Sequence, residues 1–232
     1  MMNDRQRNAI LLSTAYFPPV QYFSKYLMFN EIFIEQFENY IKQTYRNRCV
    51  VLGANGPVSL VVPVVKGRSK KIKIKDLKIS YDTEWQRNHW RTIFSAYSSS
   101  PFFEFYKDDL HPFFVKRTKY LLDLNLAIQK TLSNLLEMAP QRILTKDFEA
   151  IPANTVNFRE AITPKKQKKK DDALFSPREY TQVFSGKFGF VPNLSMLDLL
   201  FNEGPNSVNI LEQSIRPPER DGKTASKKGN DH

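Results

Sequence analysis

The sequence contains few of the residues from which metal sites, disulfides and phosphate-binding loops are built. A single cysteine, Cys49, rules out an internal disulfide and a zinc site made of several thiolates. Only three histidines and eight glycines occur, and neither a Walker loop nor a Gly-x-Gly-x-x-Gly turn is present. We therefore expect no metal ion, no bound cofactor and no tight cradle for nucleotide phosphates.

Long apolar runs are also missing. No run approaches the roughly 18 residues that a membrane-spanning helix needs. The apolar stretch 9–19 is short, contains Ser13 and Thr14, and lacks the small-residue cleavage site of a secretory signal. The sequence therefore predicts a soluble, cytoplasmic protein without a membrane span.

Basic residues exceed acidic ones, 35 against 24, which gives a formal net charge of +11. The excess lies in the first two-thirds of the chain and in a lysine-rich run at 165–170. Such a charge favours an anionic partner, such as a sugar nucleotide, nucleic acid or an acidic lipid headgroup. A basic surface also serves solubility alone, and a solvated loop at 163–173 explains the lysine run without any partner.

Hydrophobic periodicity predicts the main elements. We expect a buried strand at 9–15, a helix at 20–30, a short strand at 32–34 and a hairpin turning at Asn55-Gly56. Alternating isoleucine and lysine over 71–79 indicates a further strand with one basic face. Helical patterns follow at 85–97, 101–116, 121–138, 178–184 and 195–203, and residues 142–145 are suited to return to the sheet.

This order of elements predicts an α+β fold. A mixed sheet of five or six strands, built mostly from residues 9–80, would pack against helices within 84–138. The segment 174–213 would dock back onto this body. We predict one domain over 1–213 and a disordered polar tail over 214–232.

One helical face carries the best candidate for chemistry. Trp85, His89, Ile93 and Tyr97 recur at a spacing of four and so share a face of the helix. The imidazole of His89 titrates near neutral pH and is therefore a candidate general base, with Trp85 and Tyr97 able to stack on a substrate. The alternative is a hydrogen-bonded histidine packed between the two aromatic rings.

Other candidates for substrate binding lie at the ends of predicted elements. Arg48 could hold a carboxylate or phosphate by two-point contact, with Asn47 beside it and Arg46 nearby. Asn193 and Asp198 flank a predicted helix start, where free N–H groups attract anions. Tyr16 ends the first strand, where loops commonly line clefts. The competing interpretations are strand-edge packing for Arg48, helix capping for Asn193 and core packing for Tyr16.

Several blocks of sequence resemble the WbqC-like protein family, and their order and spacing match as well. The matching blocks are Tyr16-Phe17-Pro18 with Tyr22-Phe23, Arg46-Asn47-Arg48 with Gly56 and 60–64, the Trp85 to Phe103 spacing, and 192–205. Many family members carry His-Gln-Pro-Asn where this chain has Leu12-Ser13-Thr14-Ala15. A catalytic role for that histidine cannot be transferred to this chain.

The family takes its name from a protein of a bacterial O-antigen gene cluster, so the resemblance implies a link to surface-polysaccharide assembly. Two hypotheses follow. The first is an enzyme that transfers an acyl or aminoacyl group to an amino-sugar nucleotide, with His89 as base and Arg48 and Asn47 holding the anion. The second is a non-catalytic protein whose basic face and lysines 165–170 bind an acidic partner, such as nucleic acid.

Overall fold

The computed structural model describes residues 9–65, 71–148, 155–164 and 172–216. Its strands and helices follow in chain order: β1 (Ala9–Ser13), α1 (Val20–Met28), β2 (Glu31–Glu35), β3 (Arg48–Gly53), β4 (Gly56–Val61), α2 (Trp85–Tyr97), α3 (Phe103–Leu110), α4 (Leu121–Leu135), β5 (Gln141–Leu144), β6 (Thr155–Asn157), α5 (Ser185–Phe188), α6 (Met196–Glu203) and α7 (Ser207–Gln213).

Four strands form a parallel sheet in the order β5-β2-β1-β6. Strand β1 lies inside the sheet, pairs with β2 and β6, and is buried along its whole length. A run of apolar residues suits such a position because both faces of a parallel strand are covered. The chain moves from β1 outwards to β2 and β5 and then returns to the other side of β1 for β6. The strand order therefore reverses beside β1.

Strands β3 and β4 form a separate antiparallel hairpin that pairs Arg48 with Val61 and Gly53 with Gly56. The predicted hairpin is confirmed, but its turn consists of Ala54 and Asn55, and Gly56 begins β4 with a φ of 111°, which favours glycine. The hairpin contacts helices α2 and α6. The Tyr97 hydroxyl accepts a hydrogen bond from the Leu52 amide at 3.2 Å and ties α2 to β3.

The α+β class is confirmed. The strands divide between two sheets, and β5 and β6 come from residues after 140. Helix α4 begins and ends close to the predicted bounds, and its apolar stripe of Leu121, Leu124, Ile128 and Leu132 is buried. Helix α1 packs against α6 and α7, and nearly all of its residues are buried.

Two predicted elements are wrong. Residues 71–79 form isolated bridges and a 3-10 turn (Ile74–Asp76) instead of a strand. The Tyr40 amide bonds to the Ile72 carbonyl at 2.8 Å, whereas the Leu121 amide bonds to the Leu77 carbonyl at 2.9 Å. These partners belong to different parts of the chain, and so the segment follows no single neighbour.

Residues 178–184 are irregular instead of helical. The backbone amide of Arg178 bonds to the Ser214 hydroxyl at 3.0 Å, and that of Thr181 bonds to Glu203 at 3.3 Å. Because side chains of the C-terminal segment accept these bonds, the amides are not available for a helical ladder.

The C-terminal segment docks back onto the body, as predicted. The Ser195 side chain caps α6 by accepting from the Leu197 amide at 3.3 Å and donates to the Phe17 carbonyl at 2.9 Å. Residues 214–216 continue this packing, since the Arg216 amide bonds to the Leu174 carbonyl at 3.1 Å. The lysine run 165–170 and the tail from 217 onwards lie outside the described residues.

Candidate functional site

His89 lies inside an aromatic cage on helix α2. Its Nδ1 is 3.0 Å from the Tyr16 hydroxyl oxygen, and the Trp85 ring centroid is 5.1 Å from the imidazole centroid. The structure thus brings together three predicted site residues, but His89 is only 5% exposed. Burial lowers the pKa of His89 to about 4, although a hydrogen bond with the Val61 backbone raises it in part. The imidazole is therefore neutral at physiological pH.

This burial predicts a pH-dependent stability. In the unfolded chain His89 binds a proton below pH 6.5, whereas in the folded chain it does so only near pH 4. The contribution of the neutral imidazole to stability is therefore complete above pH 6.5 and is lost as the pH falls to 4. We expect a loss of about 3 kcal/mol in the free energy of unfolding across that window. Urea denaturation at a series of pH values measures it.

The matched variants for this measurement are His89→Asn, which does not titrate, and His111→Asn on the exposed surface. We expect the first to flatten the pH profile between 6.5 and 4 and the second to leave it unchanged. A wild-type profile that is already flat in this window would contradict a neutral, buried imidazole.

Tyr97 and Asp198 meet in a second buried cluster. The carboxylate of Asp198 accepts hydrogen bonds from Tyr97 at 2.9 Å, Tyr180 at 2.6 Å and Gln182 at 2.9 Å. Burial raises the pKa of Asp198, and the three hydrogen bonds oppose the rise. Asp198 is fully buried. The cluster therefore joins α2, α6 and the segment before α5 at a point remote from solvent.

The remaining predicted residues make hydrogen bonds and contacts of their own. Asn47 Nδ2 donates to the Val62 carbonyl at 2.8 Å and fixes the base of the hairpin. Burial raises the pKa of Tyr40, and the positive charge of the nearby Arg48 opposes this rise. Because side chains alternate along a strand, Arg48 points to the face opposite that of its neighbour Cys49, which interacts with Tyr16.

Asn193 caps helix α1 from outside. It has a φ of 59°, and its Oδ1 accepts from the Gln21 amide at 2.9 Å while its Nδ2 donates to the Gln21 side chain at 3.0 Å. This contact supplies the cap that Pro19 cannot give. The eight predicted residues thus form separate structural groups instead of one hollow.

A different group of polar residues meets at the carboxyl edge of the parallel sheet. Arg46 forms a two-point ion pair with Glu38, with Nε–Oε1 at 2.7 Å and Nη2–Oε2 at 2.6 Å. Its Nη2 also donates to the Ser13 hydroxyl at 2.7 Å, directly at the end of β1. Helix α4 also contacts this pair, because the Asn125 side-chain amide donates to the Arg46 carbonyl at 2.8 Å.

A second ion pair lies beside the first. Arg159 Nη1 is 3.1 Å from Glu35 Oε2 at the end of β2, and the Thr145 hydroxyl donates to Glu35 Oε1 at 2.9 Å. The Ser13 hydroxyl lies 2.7 Å from the Arg159 carbonyl and links the two pairs. Glu35 and Glu38 are nearly fully buried. All four charges therefore converge where β1, β2, β5 and β6 end.

An open hollow of about 480 Å³ lies above this edge. Its walls combine acidic, amide, guanidinium and aromatic side chains: Glu38, Asn39, Ile41, Phe148, Asn157, Arg159, Glu160 and Ala161. The Phe148 ring is half-exposed. Donors, acceptors and an apolar ring face the same space, which is the composition of a small-molecule site.

One signal for this edge was present in the sequence: the basic residue Arg46 beside Asn47 and Arg48, the predicted anion-binding residues. Ser13 and Glu35 are single polar residues that end apolar strands, and Arg159 lies far away along the chain. Only the pairing of β1 with both β2 and β6 brings them together. In the described ranges, no group of three or more metal-ligating side chains occurs, and no helix is long and apolar enough to cross a membrane.

The fold and the edge define an α+β protein with a polar hollow at the end of a parallel sheet. The chain belongs to the WbqC-like protein family, whose model matches residues 14–177 and 167–210, and the resemblance is confirmed. It is similar to the uncharacterized protein Rv1507c of Mycobacterium tuberculosis (strain ATCC 25618 / H37Rv). The two are 26% identical over 230 residues, covering 88% of this chain and 97% of that protein. No solved structure matches the chain significantly.

Proposed function

We propose that this protein is an enzyme of bacterial surface-polysaccharide metabolism that binds a sugar in the hollow at the carboxyl edge of its sheet. The observation that carries the proposal is the convergence of Glu38, Asn157, Arg159 and the Phe148 ring on one open space. Membership in the WbqC-like family, which is named after a protein of a bacterial O-antigen gene cluster, supports this metabolic setting.

The location of the hollow supports a ligand site. In open sheets of parallel strands, ligands bind outside the carboxyl ends of the strands, where the strand order reverses. Here that reversal lies between β1 and β6, and Ser13 and Arg159 lie at the ends of these two strands. Two nearly buried ion pairs at this edge contribute little net stability, because desolvation of the charges offsets their attraction. Their role in positioning side chains is the better explanation.

The chemistry of the walls fits a carbohydrate. Sugar hydroxyls both donate and accept hydrogen bonds, and carboxylate, amide and guanidinium groups supply both kinds of partner. The exposed Phe148 ring offers an apolar face to the C–H groups of a sugar ring. The volume also lies in the range of small-molecule sites, roughly 300–1,000 Å³.

The proposed reaction is transfer of an acyl or aminoacyl group to the amine of an amino-sugar nucleotide. The amine nitrogen forms an amide bond with the acyl carbon, and the ester or thioester bond of the acyl donor breaks. Glu160 is the candidate that takes the amine proton, because it lines the hollow and has no ion-pair partner among the described residues. The proton then leaves with the alcohol or thiol of the donor.

None of the eight residues predicted from the sequence lines this hollow. The catalytic role of His89 and the binding roles of Arg48 and Asn47 therefore stay predictions. The transfer activities of His89→Asn and Glu160→Gln are therefore compared. Loss of transfer in His89→Asn, with transfer retained in Glu160→Gln, would assign the general base to helix α2.

Sugar binding tests the proposal. Isothermal titration with glucosamine, N-acetylglucosamine and their uridine diphosphate conjugates should show saturable binding to the wild-type chain. We expect Phe148→Ala to weaken that binding about tenfold, because the ring face is lost. Phe105→Ala is the matched control, since Phe105 is 74% exposed on α3 and absent from the walls of the hollow.

Two outcomes would overturn the proposal: binding of none of these sugars, or equal affinity for Phe148→Ala and the wild type. Binding of an oligonucleotide that weakens steeply with salt, in the absence of sugar binding, would favour the acidic-partner hypothesis instead.

A further inference from the structure

Arg159 is held by several contacts in the wall of the hollow. Its Nη1 contacts Glu35 at 3.1 Å, and its Nε donates to Asn157 Oδ1 at 3.2 Å. The guanidinium carbon lies 4.8 Å from the centroid of the Phe148 ring. Three contacts on different sides therefore fix the plane of the guanidinium before any ligand arrives.

One nitrogen of this group remains available. Arg159 Nη2 forms no hydrogen bond with any described residue, and it does not belong to the buried polar atoms that lack a partner. The atom therefore reaches solvent, and the residue lines the hollow. A planar guanidinium with free N–H groups matches the oxygen atoms of phosphate and carboxylate groups.

We infer that Arg159 binds an oxyanion of the ligand, so that the substrate is a sugar carrying a phosphate or a carboxylate group. This inference rests on the proposed function and adds the group that decides specificity. It also assigns anion binding to a residue different from Arg48.

The neighbouring charges fix where the anion binds. Glu38 also lines the hollow, but its carboxylate is neutralised by the two-point contact with Arg46. Glu160 is exposed, so water and salt screen its charge. An anion placed at Arg159 therefore meets a donor, while the hydroxyl or amine groups of the sugar meet the carboxylate acceptor of Glu160.

Titration of paired ligands tests the inference. Glucosamine, glucosamine 1-phosphate, glucuronic acid and inorganic phosphate are compared at fixed ionic strength. We expect the wild type to bind glucosamine 1-phosphate about tenfold or more tightly than glucosamine. Tighter binding of glucuronic acid than of the phosphate ester would identify the carboxylate as the preferred anion.

Variants of Arg159 separate its role from that of the rest of the hollow. Arg159→Gln should remove the preference for the phosphate ester and leave the affinity for glucosamine within about twofold. Arg91→Gln, an exposed arginine on α2, is the matched control and should keep the preference. If Arg159→Gln fails to fold because Glu35 loses its partner, Arg159→Lys retains the charge, and we expect it to keep only part of the preference.

The outcomes distinguish this inference from the proposed function. Equal affinity of the wild type for glucosamine and its 1-phosphate would overturn the inference and leave the sugar site intact. An equal loss of affinity for both ligands in Arg159→Gln would do the same. If no sugar binds at all, the proposed function itself fails.

Discussion

Replacing Asp198 with alanine is expected to lower the free energy of unfolding by about 3–5 kcal/mol. The carboxylate accepts three hydrogen bonds, and its removal leaves the Tyr97, Tyr180 and Gln182 donors buried without an acceptor. Each orphaned donor costs about 1–3 kcal/mol, reduced by local relaxation. Urea denaturation followed by fluorescence measures the change as a lower midpoint with an unchanged slope.

Asp109→Ala is the control for this prediction, because Asp109 is exposed on α3. We expect its effect to remain within about 0.5 kcal/mol. The free energy of unfolding of Asp198→Asn should lie between those of the two alanine variants. Its amide oxygen still accepts hydrogen bonds, but its amide NH₂ group faces one of the buried donors. An Asp198→Ala variant as stable as the Asp109→Ala control would show that the cluster does not hold α2 to α6.

The second large effect concerns the buried ion pair between helix α1 and the C-terminal segment. Lys25 Nζ lies 2.6 Å from Asp172 Oδ2, and the two side chains are 0% and 3% exposed. Asp172→Asn should lower the free energy of unfolding by about 3–5 kcal/mol, because the buried ammonium loses the carboxylate that lies 2.6 Å away. Thermal or urea unfolding of the full chain measures the loss.

A double replacement separates the cost of removing one partner of the pair from the contribution of the contact itself. The Lys25 ammonium lies 5.3 Å from the Phe158 ring centroid and 5.8 Å from that of Phe175, so two aromatic rings lie beside the pair. Lys25→Met combined with Asp172→Leu should restore most of the lost stability. If the double variant is less stable than Asp172→Asn, the pair itself stabilises the docked segment.

Elements with a strong local pattern were predictable from the sequence. Strand β1, helix α4 and the Asn55-Gly56 hairpin carry their periodicity or turn signal within a few residues, and the structure confirms all three. The segment 71–79 carried an equally clear alternation but forms no strand. Its backbone hydrogen bonds go to three separate stretches of chain, 36–40, 63–65 and 119–121, and this tertiary context decided the outcome.

The candidate site was less predictable for a physical reason. Local reasoning identified chemically versatile residues, such as His89 and Asp198, but these polar groups are satisfied within the interior. The hollow depends on residues that are unremarkable in sequence, such as Glu35 and Arg159. They become neighbours only after strands separated by more than 100 residues pair into one sheet.

The central position of strand β1 has a consequence for how the chain folds during synthesis. β1 leaves the ribosome before β2, β5 and β6, yet one of its edges stays open until β6, near residue 155, has been made. At roughly 5–20 residues per second, that edge is unpaired for on the order of ten seconds. An apolar strand with free backbone groups is prone to intermolecular pairing. The nascent chain is therefore most exposed to aggregation during this interval.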